Sequence, residues 1–229
     1  MIDTLHTVDQ GIASHIVGNV IWLVVVSRKK LGGTSKESLI AAVNQHLKQW
    51  YKSAGAGLHK LQGKLTIERV RTRGSWPKLK AKAAATRHLA AYALHLMSTF
   101  GRDTAEDRRA LAVCQLLVKF YELLDSEGVY LSKASKAEIS KLGTRICILY
   151  SGLAADAAAA GVKMWKMNPK LHLFAHLCEW QASEVGTPRC FWTYADEDLV
   201  GLLVEVAESC HPQTMAVSAL FKWVHVYFE

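Results

Sequence analysis

The sequence predicts an all-α protein, a compact bundle of seven to eight helices. Apolar residues recur at three- and four-residue spacing along most of the chain, and alternation with a period of two is nearly absent. The 229 residues include only 4 prolines and 15 glycines, which is typical of long regular elements. Hydrophobic residues make up 50% of the chain and charged residues 21%, which favours a packed core over disorder. We therefore expect a single helical domain over residues 1–229.

In the first 100 residues, helices are predicted over residues 10–30 and 35–53, with a pair of glycines as the break between them. The first helix is strongly apolar and ends in three consecutive cations, which suit a helix C-terminus. Residues 58–76 fit either a short strand or an irregular connector. Pro77 then favours the start of an alanine-rich helix over residues 78–100, because its missing N–H costs nothing in a first turn.

Five further helices are predicted in the second half of the chain. Asp103 is the expected N-cap of the first of them, and Ser132 or Ser135 caps the next. The connector at 161–169 and the His-Pro pair at 211–212 separate the remaining helices. The predicted ranges are residues 104–125, about 132–160, about 170–184, 195–209 and 213–228.

The chain is basic, with 28 Lys and Arg against 20 Asp and Glu, a net charge of +8 and an isoelectric point near 9.3. This balance favours an acidic partner, of which nucleic acid is the commonest. The most basic stretch runs from Lys60 to Lys82 and contains Trp76. Lys and Arg neutralise phosphates and an aromatic ring can stack on a base, so this stretch is a candidate DNA contact. A solvated loop and helix face would have the same composition.

Cysteine usage and hydropathy favour a protein that stays inside the cell. Five cysteines without a CxxC pair fit buried free thiols in a reducing compartment better than a disulfide framework. The most apolar stretch, Ile16 to Val26, covers only 11 residues and includes a glycine and an asparagine, which is too short for a bilayer span. We therefore expect an intracellular protein without a membrane partner.

Two histidines stand at the spacing of a metal-binding pair. His172 and His176 are four residues apart, so on a helix they share one face and could bind zinc. The HExxH pattern is absent, and the spacing of Cys178 and Cys190 matches no common zinc module. Two histidines that hydrogen-bond within a helix packing face are the simpler interpretation, and a metal site is the alternative.

Acidic residues at the two ends of the chain allow two interpretations. Asp196, Glu197 and Asp198 open a helix, where carboxylates cap the first turn and stabilise the helix dipole. The same carboxylates could bind Mg²⁺, which prefers one or two carboxylates together with phosphate oxygens. Asp9 looks like a helix N-cap, whereas Asp3 lies upstream of the predicted helix, where it has no evident structural task.

Three short motifs contain most of these residues. The first is Asp3, His6, Asp9 and Gly11, the second Pro169, Lys170, His172 and His176, and the third Gly186, Pro188, Arg189, Trp192, Tyr194 and Glu197. In order and spacing they resemble a recurrent pattern of large eukaryotic DDE transposases, especially the CACTA (En/Spm) type. The resemblance assigns residues 1–30 and 168–229 to the flanks of an RNase H-like core and residues 31–167 to its helical insertion.

The resemblance implies a catalytic mechanism. Such transposases hold two Mg²⁺ ions with three carboxylates, and the metals activate the attacking oxygen and stabilise the leaving oxygen at a phosphodiester. Asp3 would be the second carboxylate and Glu197 the third. Asp198 would be a further metal ligand, and Asp196 or Asp198 could replace Glu197. The histidine pair would be structural or would face DNA.

The chain departs from that family, because the first catalytic aspartate and the core strands are missing. We therefore expect a truncated or domesticated fragment that is inactive alone, binds Mg²⁺ only in a complete site, and acts in the nucleus. Its expected DNA contacts are Lys64, Arg69, Arg71, Arg73, Lys78, Lys80, Lys170 and Arg189.

The alternative function is a helical protein–protein scaffold without a nucleic-acid role. Tryptophans would then be core or interface anchors, since large aromatic side chains dominate such contacts. An apolar face left uncovered around Ile16 to Val26 would favour self-association.

Overall fold

The computed structural model describes residues 1–55 and 57–228, and for residues 195–198, 223 and 226–228 it describes the backbone alone. Nine helices and no strand lie in this described part, and eight of the helices have seven or more residues. The predicted all-α class with seven to eight helices is therefore confirmed. The helices are α1 Leu5–Ser27, α2 Lys36–Ser53, α3 Ile67–Val70, α4 Ala83–Phe100, α5 Ala105–Ser126, α6 Lys133–Ala159, α7 at residues 169–184, α8 Tyr194–Glu208 and α9 Met215–Phe228.

Short polar side chains set the starts of five helices. In each case the side chain accepts a hydrogen bond from a backbone N–H in the first turn of the helix that follows; the five residues are Ser35, Thr66, Thr104, Ser132 and Asn168. Those N–H groups have no acceptor within the helix, so each cap stabilises its helix by about 1 kcal/mol. The cap of α5 is Thr104 rather than the predicted Asp103, which moves that start by one residue.

The contacts between helices divide the chain into two compact units, which are described separately: unit 1, Met1–Phe191, and unit 2, Trp192–Glu229. In unit 1, α1 packs against α4 and α7, and α5 packs against α4 and α6. Unit 2 is a hairpin in which α8 and α9 pack on each other. By its contacts, the predicted single domain over residues 1–229 therefore consists of two units.

Helix α1 supplies the centre of the unit 1 core. Its apolar residues are buried all round the helix, as expected for a helix enclosed by others. The side chains with at most 1% exposure include Leu5, Val8, Ile12, Ile16, Val17, Val20, Ile21 and Val24. Wide π-helical turns form its first and last parts, at Leu5–Ala13 and Trp22–Ser27, and Gly11 departs from helical geometry.

The start of α1 corrects the prediction of an N-cap at Asp9. The carboxylate of Asp3 accepts the backbone N–H groups of Leu5 (3.0 Å) and His6 (3.1 Å), so the helix begins five residues before the predicted one. Asp9 lies inside the helix and is fully buried, with the Tyr121 hydroxyl donating to its carboxylate. The N-cap prediction was wrong for two reasons. Asp3 accepts the first N–H groups of the helix, and the carboxylate of Asp9 accepts a hydrogen bond from a tyrosine far along the chain.

By length and composition, α1 could cross a membrane. Its most apolar 18-residue window has a mean hydropathy of 1.5, and 78% of that window is buried inside the protein. Core helices of soluble proteins meet the same criterion. The helix is longer than the 11-residue apolar stretch, because it also includes the buried polar residues Asp9, Ser14 and His15.

Residues 77–82 form an extended segment across α1 rather than the first turn of a helix. The N–H of Leu79 donates to the Ser14 carbonyl (2.8 Å). The N–H groups of Lys78 and Lys80 donate to the carbonyls of Val70 (2.9 Å) and Arg69 (2.7 Å), respectively. These bonds to other segments replace the helical ones, so α4 begins at Ala83. The prediction that Pro77 begins a helix was therefore wrong, and the extended segment positions the lysines described next.

Candidate nucleic-acid interface

A basic cleft of about 230 Å³ lies where the extended segment meets the connector between α6 and α7. We call it the Trp76 cleft. Its lining contains three lysines and no carboxylate, and it consists of His15, Thr72, Ser75, Trp76, Lys78, Lys80 and Lys166. All three lysines are exposed, and within the described part of the chain none forms an ion pair. Their charge is therefore available to a ligand.

The backbone of the cleft is fixed by buried hydrogen bonds from α1. The Asn19 side chain donates to the Pro77 carbonyl (3.3 Å) and accepts the backbone N–H of Trp165 (2.8 Å). Trp165 is 1% exposed and has a positive φ of 53°, so a buried indole anchors the connector. One asparagine thus ties together two segments that are almost 90 residues apart in sequence.

Trp76 stands between two lysines of this connector. Its side chain is 36% exposed, and the ammonium groups of Lys163 and Lys166 lie 5.6 and 5.4 Å from the ring centroid. Lys163 also donates to the Gly74 carbonyl (3.1 Å). A cation at this distance is attracted by the ring quadrupole. The indole therefore holds two positive charges at the rim of the cleft, and a base could stack on it only if they moved.

The positive potential of the cleft acts on a buried histidine. His15 is 8% exposed, and its Nδ1 lies 3.3 Å from the Pro77 carbonyl. Burial, and to a lesser extent the charges of nearby lysines, lower its pKa to about 4, although the hydrogen bond with the Pro77 carbonyl acts in the opposite direction. These lysines are Lys78, Lys166 and Lys170. His15 is consequently neutral at pH 7 and does not contribute charge to the cleft.

Lys170 extends this basic region toward the N-terminus of α1. Burial and the neighbouring Lys78 lower its pKa, while Asp3 raises it. Its ammonium group donates to the His6 carbonyl (2.7 Å). Part of its hydrogen-bonding capacity is therefore used within the fold, where it holds α7 against α1.

A second basic groove, of about 640 Å³, lies between α2 and the loop that follows it. Its apolar floor is lined by Leu47 and Leu61, and its lining also contains no carboxylate. Four exposed lysines surround it, namely Lys48, Lys52, Lys60 and Lys64. Lys64 is thus a groove residue, whereas Lys78 and Lys80 belong to the Trp76 cleft.

The three predicted arginine contacts differ in what their side chains do. The Arg69 guanidinium donates to the carbonyls of Lys80, Gln62 and Lys64 at 2.7–3.0 Å, which joins the groove loop to the extended segment. Arg71 donates to a nearby carbonyl (2.7 Å) and lies over the Trp22 ring. Both arginines therefore hold in place the loops that carry the lysines.

The third arginine, Arg73, and Arg189 are both exposed. Arg189 lies in a short 3-10 turn, Pro188–Phe191, whose Pro188 carbonyl accepts the Thr4 hydroxyl (2.7 Å). This hydrogen bond places Pro188, in the third sequence motif, against Thr4, which follows the first residue of the first motif. Neither arginine lines the Trp76 cleft.

Of the predicted catalytic carboxylates, Asp3 alone has a side chain within the described part of the chain. Both oxygens of Asp3 accept N–H groups at the start of α1, and one also contacts the His6 imidazole. The side chains of Glu197, Asp198 and Asp196 lie outside the described residues. Among the described side chains, no group of three or more His, Cys, Asp or Glu is placed to hold a metal ion. The predicted Mg²⁺ site therefore stays a prediction.

The histidine pair is brought together by α7. The Nε2 atoms of His172 and His176 lie 3.0 Å apart, and both side chains are exposed. Cys178 is fully buried, burial raises the pKa of its thiol, and it packs where α6 has Gly143. Cys190 is exposed. The thiol of Cys178 thus belongs to the α6–α7 contact, as a small apolar group.

The Trp76 cleft was only partly predictable. The basic stretch identifies Trp76, Lys78 and Lys80, but nothing in the sequence near them indicates Lys163 and Lys166. The one local signal is that those two lysines flank a tryptophan in a connector, a position that carries charge beside a buried anchor.

Comparison of the chain with protein-family models, with curated proteins and with solved structures finds no match.

Proposed function

We propose that unit 1 binds the phosphate backbone of DNA, and that the Trp76 cleft is the principal contact. The observation that carries this proposal is the group of Lys78, Lys80 and Lys166 around a half-exposed tryptophan, without a carboxylate in the lining. Lysine ammonium groups neutralise phosphates and release condensed counterions, which supplies most of the free energy of sequence-independent binding. Because a lysine is a point charge without planar donors, we expect little base specificity.

The proposal includes the transposase resemblance as the origin of the chain. A fragment with the second and third catalytic carboxylates, Asp3 and Glu197, but without the first aspartate would keep DNA affinity and lose strand transfer. Incubation of the purified chain with DNA and Mg²⁺ tests this directly. Metal-dependent cleavage by the 229-residue chain would contradict the proposed inactivity.

The DNA contact is tested with a triple substitution, Lys78→Gln, Lys80→Gln and Lys166→Gln. Fluorescence anisotropy with a labelled duplex, repeated over a series of salt concentrations, gives the slope of log K against log salt. We expect weaker binding to every sequence and a slope reduced by about 1 for each lysine removed. The outcome that contradicts the proposal is an unchanged salt slope in this variant.

A matched control removes the same charge elsewhere. Lys30, Lys133 and Lys141 are exposed lysines outside both basic sites. Their triple substitution to Gln changes the net charge equally, so it isolates the position of the charges from their number. If both triple variants lose the same affinity, binding follows net charge alone and the cleft has no special role.

Arg69 and Arg71 are kept in both variants for a structural reason. Their guanidinium groups donate to backbone carbonyls of the loops that carry the lysines. Alanine at either position would remove these hydrogen bonds and disturb the loops, so a loss of binding could not be assigned to lost charge.

A second candidate function is protein–protein association through unit 2. Large apolar side chains are exposed on both of its helices, and contiguous apolar surface marks interaction sites in soluble proteins. The exposed residues are Leu199, Val200, Leu202, Leu203, Val204, Met215, Val217, Leu220, Phe221 and Val224. Light scattering with size-exclusion chromatography measures the mass in solution. A monomer at all accessible concentrations would argue against self-association by this surface.

A further inference from the structure

The His172–His176 pair lies outside the proposed DNA contact and has a chemistry of its own. The two rings meet edge to face, with centroids 4.4 Å apart at 81°, and their Nε2 atoms are separated by 3.0 Å. We propose that this pair is a chelating site for a divalent transition-metal ion, with Cu²⁺ and Zn²⁺ as the matching class. Imidazole nitrogen is a preferred ligand of both ions.

The separation of the two nitrogens fits bidentate binding. Metal–imidazole bonds are about 2.0–2.1 Å long, so two ligands at a right angle place their nitrogens about 2.9 Å apart, and at a tetrahedral angle about 3.3 Å. The observed 3.0 Å lies between these values. An ion can therefore be held by both rings with only small rotations of the side chains.

The protonation of the pair also allows binding. In the neutral pair, one Nε2–H donates to the lone pair of the other Nε2. Metal binding needs a lone pair on each Nε2, so the donating ring passes its proton to solvent and takes one up at Nδ1. No net proton is released by two neutral rings. Each imidazole binds a metal ion through the lone pair of the neutral ring.

The helix that carries the pair is already fixed before any metal arrives. On its opposite face, Leu171, Phe174 and Leu177 are buried in the unit 1 core, and Asn168 caps its first turn. The two rings therefore project from a rigid turn into solvent, and binding does not require a segment to fold. Because the described residues offer no third protein ligand, water completes the coordination.

Isothermal titration of the purified chain with Cu²⁺ and with Zn²⁺ tests the site. We expect one ion per chain with micromolar affinity, tighter for Cu²⁺ than for Zn²⁺, as the usual order of divalent metals requires. His172→Gln or His176→Gln should each weaken binding more than tenfold. Wild-type affinity in either variant overturns the proposal.

The chain contains 10 histidines, so a matched control is needed. The control variant is His59→Gln with His88→Gln, since these rings also meet edge to face, with centroids 5.3 Å apart. It should keep the affinity of the natural chain. Equal loss in the control means that histidines bind metal without selectivity, which contradicts the site. Circular dichroism confirms that each variant is folded.

A thermal scan supplies a second readout. An ion that binds only the folded pair raises the melting temperature as its concentration exceeds the dissociation constant. Neither His172→Gln nor His176→Gln should show this rise. Because the pair lies outside both basic sites, the outcome is independent of DNA binding, and either proposal can fail alone.

Discussion

Gly18 shows how one missing side chain shapes the Trp76 cleft. A Cβ atom at this position would lie 2.6 Å from the backbone nitrogen of Leu79 and 2.8 Å from the Cα of Lys78. Both neighbours are backbone atoms, which cannot rotate away as a side chain can. The glycine therefore lets the extended segment lie directly on α1, where the Leu79 N–H reaches the Ser14 carbonyl.

We predict that Gly18→Ala destabilises the protein by roughly 1–3 kcal/mol, as overpacking of a tight contact does. It should also weaken DNA binding, since Lys78 moves with the segment. Urea unfolding followed by circular dichroism measures the first effect and anisotropy the second. Gly152→Ala is the helical control, because the atoms nearest to its Cβ would be those of the Arg109 side chain, at 3.6 Å or more. It should be neutral or stabilising by up to about 1 kcal/mol, and equal destabilisation of both variants would contradict the argument.

At the scale of elements, a buried ion pair joins the end of α1 to the start of α5. Arg28 donates two hydrogen bonds to Asp107, whose side chain is 1% exposed, and the Arg102 N–H donates a third. Burial raises the pKa of Asp107, but the guanidinium and the backbone N–H outweigh it, so this pKa lies below its usual value. The carboxylate also stands in the first turn of α5, where the helix dipole favours negative charge.

We predict that Arg28→Ala costs about 3–5 kcal/mol, because it leaves a buried carboxylate without its cation. The exposed pair of Arg109 and Asp156 is the control, and Arg109→Ala should cost less than about 1 kcal/mol. Chemical denaturation of the two variants at pH 7 makes the comparison. Similar costs would mean that burial does not strengthen the Arg28 contact.

The same pair predicts a dependence on pH. A carboxyl with a lowered pKa in the folded state stabilises the protein above its unfolded pKa, about 3.9. That stabilisation is lost as the pH falls through the lower folded value. The difference in unfolding free energy between the natural chain and Asp107→Asn should therefore be largest near neutral pH and shrink below about pH 4. A difference that grows on acidification would contradict this sign.

The elements themselves were largely predictable, and the reasons are local. Caps, glycine breaks and apolar spacing act within a few residues, so the starts and ends of α2, α5 and α6 follow from the sequence. The start of α1 and the segment at 77–82 did not follow. Each depends on partners far along the chain: the Tyr121 hydroxyl donates to the buried carboxylate of Asp9, and the Ser14 carbonyl accepts the Leu79 N–H. A pattern of spacing contains no information about such partners.

Part of the candidate site was likewise predictable from the sequence, and part of it was not. The run of lysines and Trp76 identifies half of the cleft, because charge is visible in sequence. Lys163 and Lys166 join it only through the fold, with Trp165 and Asn19 as the link. The sequence could not show that Arg69 and Arg71 have a different role from the lysines. An arginine that donates to backbone carbonyls and one that binds a phosphate have the same charge.

At the scale of the whole molecule, the net charge of +8 and the neutral His15 lead to one further prediction. His15 lines the Trp76 cleft, and its pKa of about 4 reflects burial first and then the repulsion of Lys78, Lys166 and Lys170. A DNA phosphate in the cleft would offset the lysine charges without changing the burial. The pKa of His15 should therefore rise when DNA binds and stay below the ordinary value of a histidine.

Nuclear magnetic resonance measures this shift from the ring proton of His15, titrated with pH in the presence and absence of a short duplex. The resonance is assigned by its loss in His15→Gln. His46 is the internal control, because burial and His95 lower its pKa and no cleft lysine contributes. An upward shift confined to His15 places phosphate at the cleft. If anisotropy shows bound DNA while the pKa of His15 is unchanged, the lysines of the cleft are not the contact, and the groove beside α2 becomes the site to test.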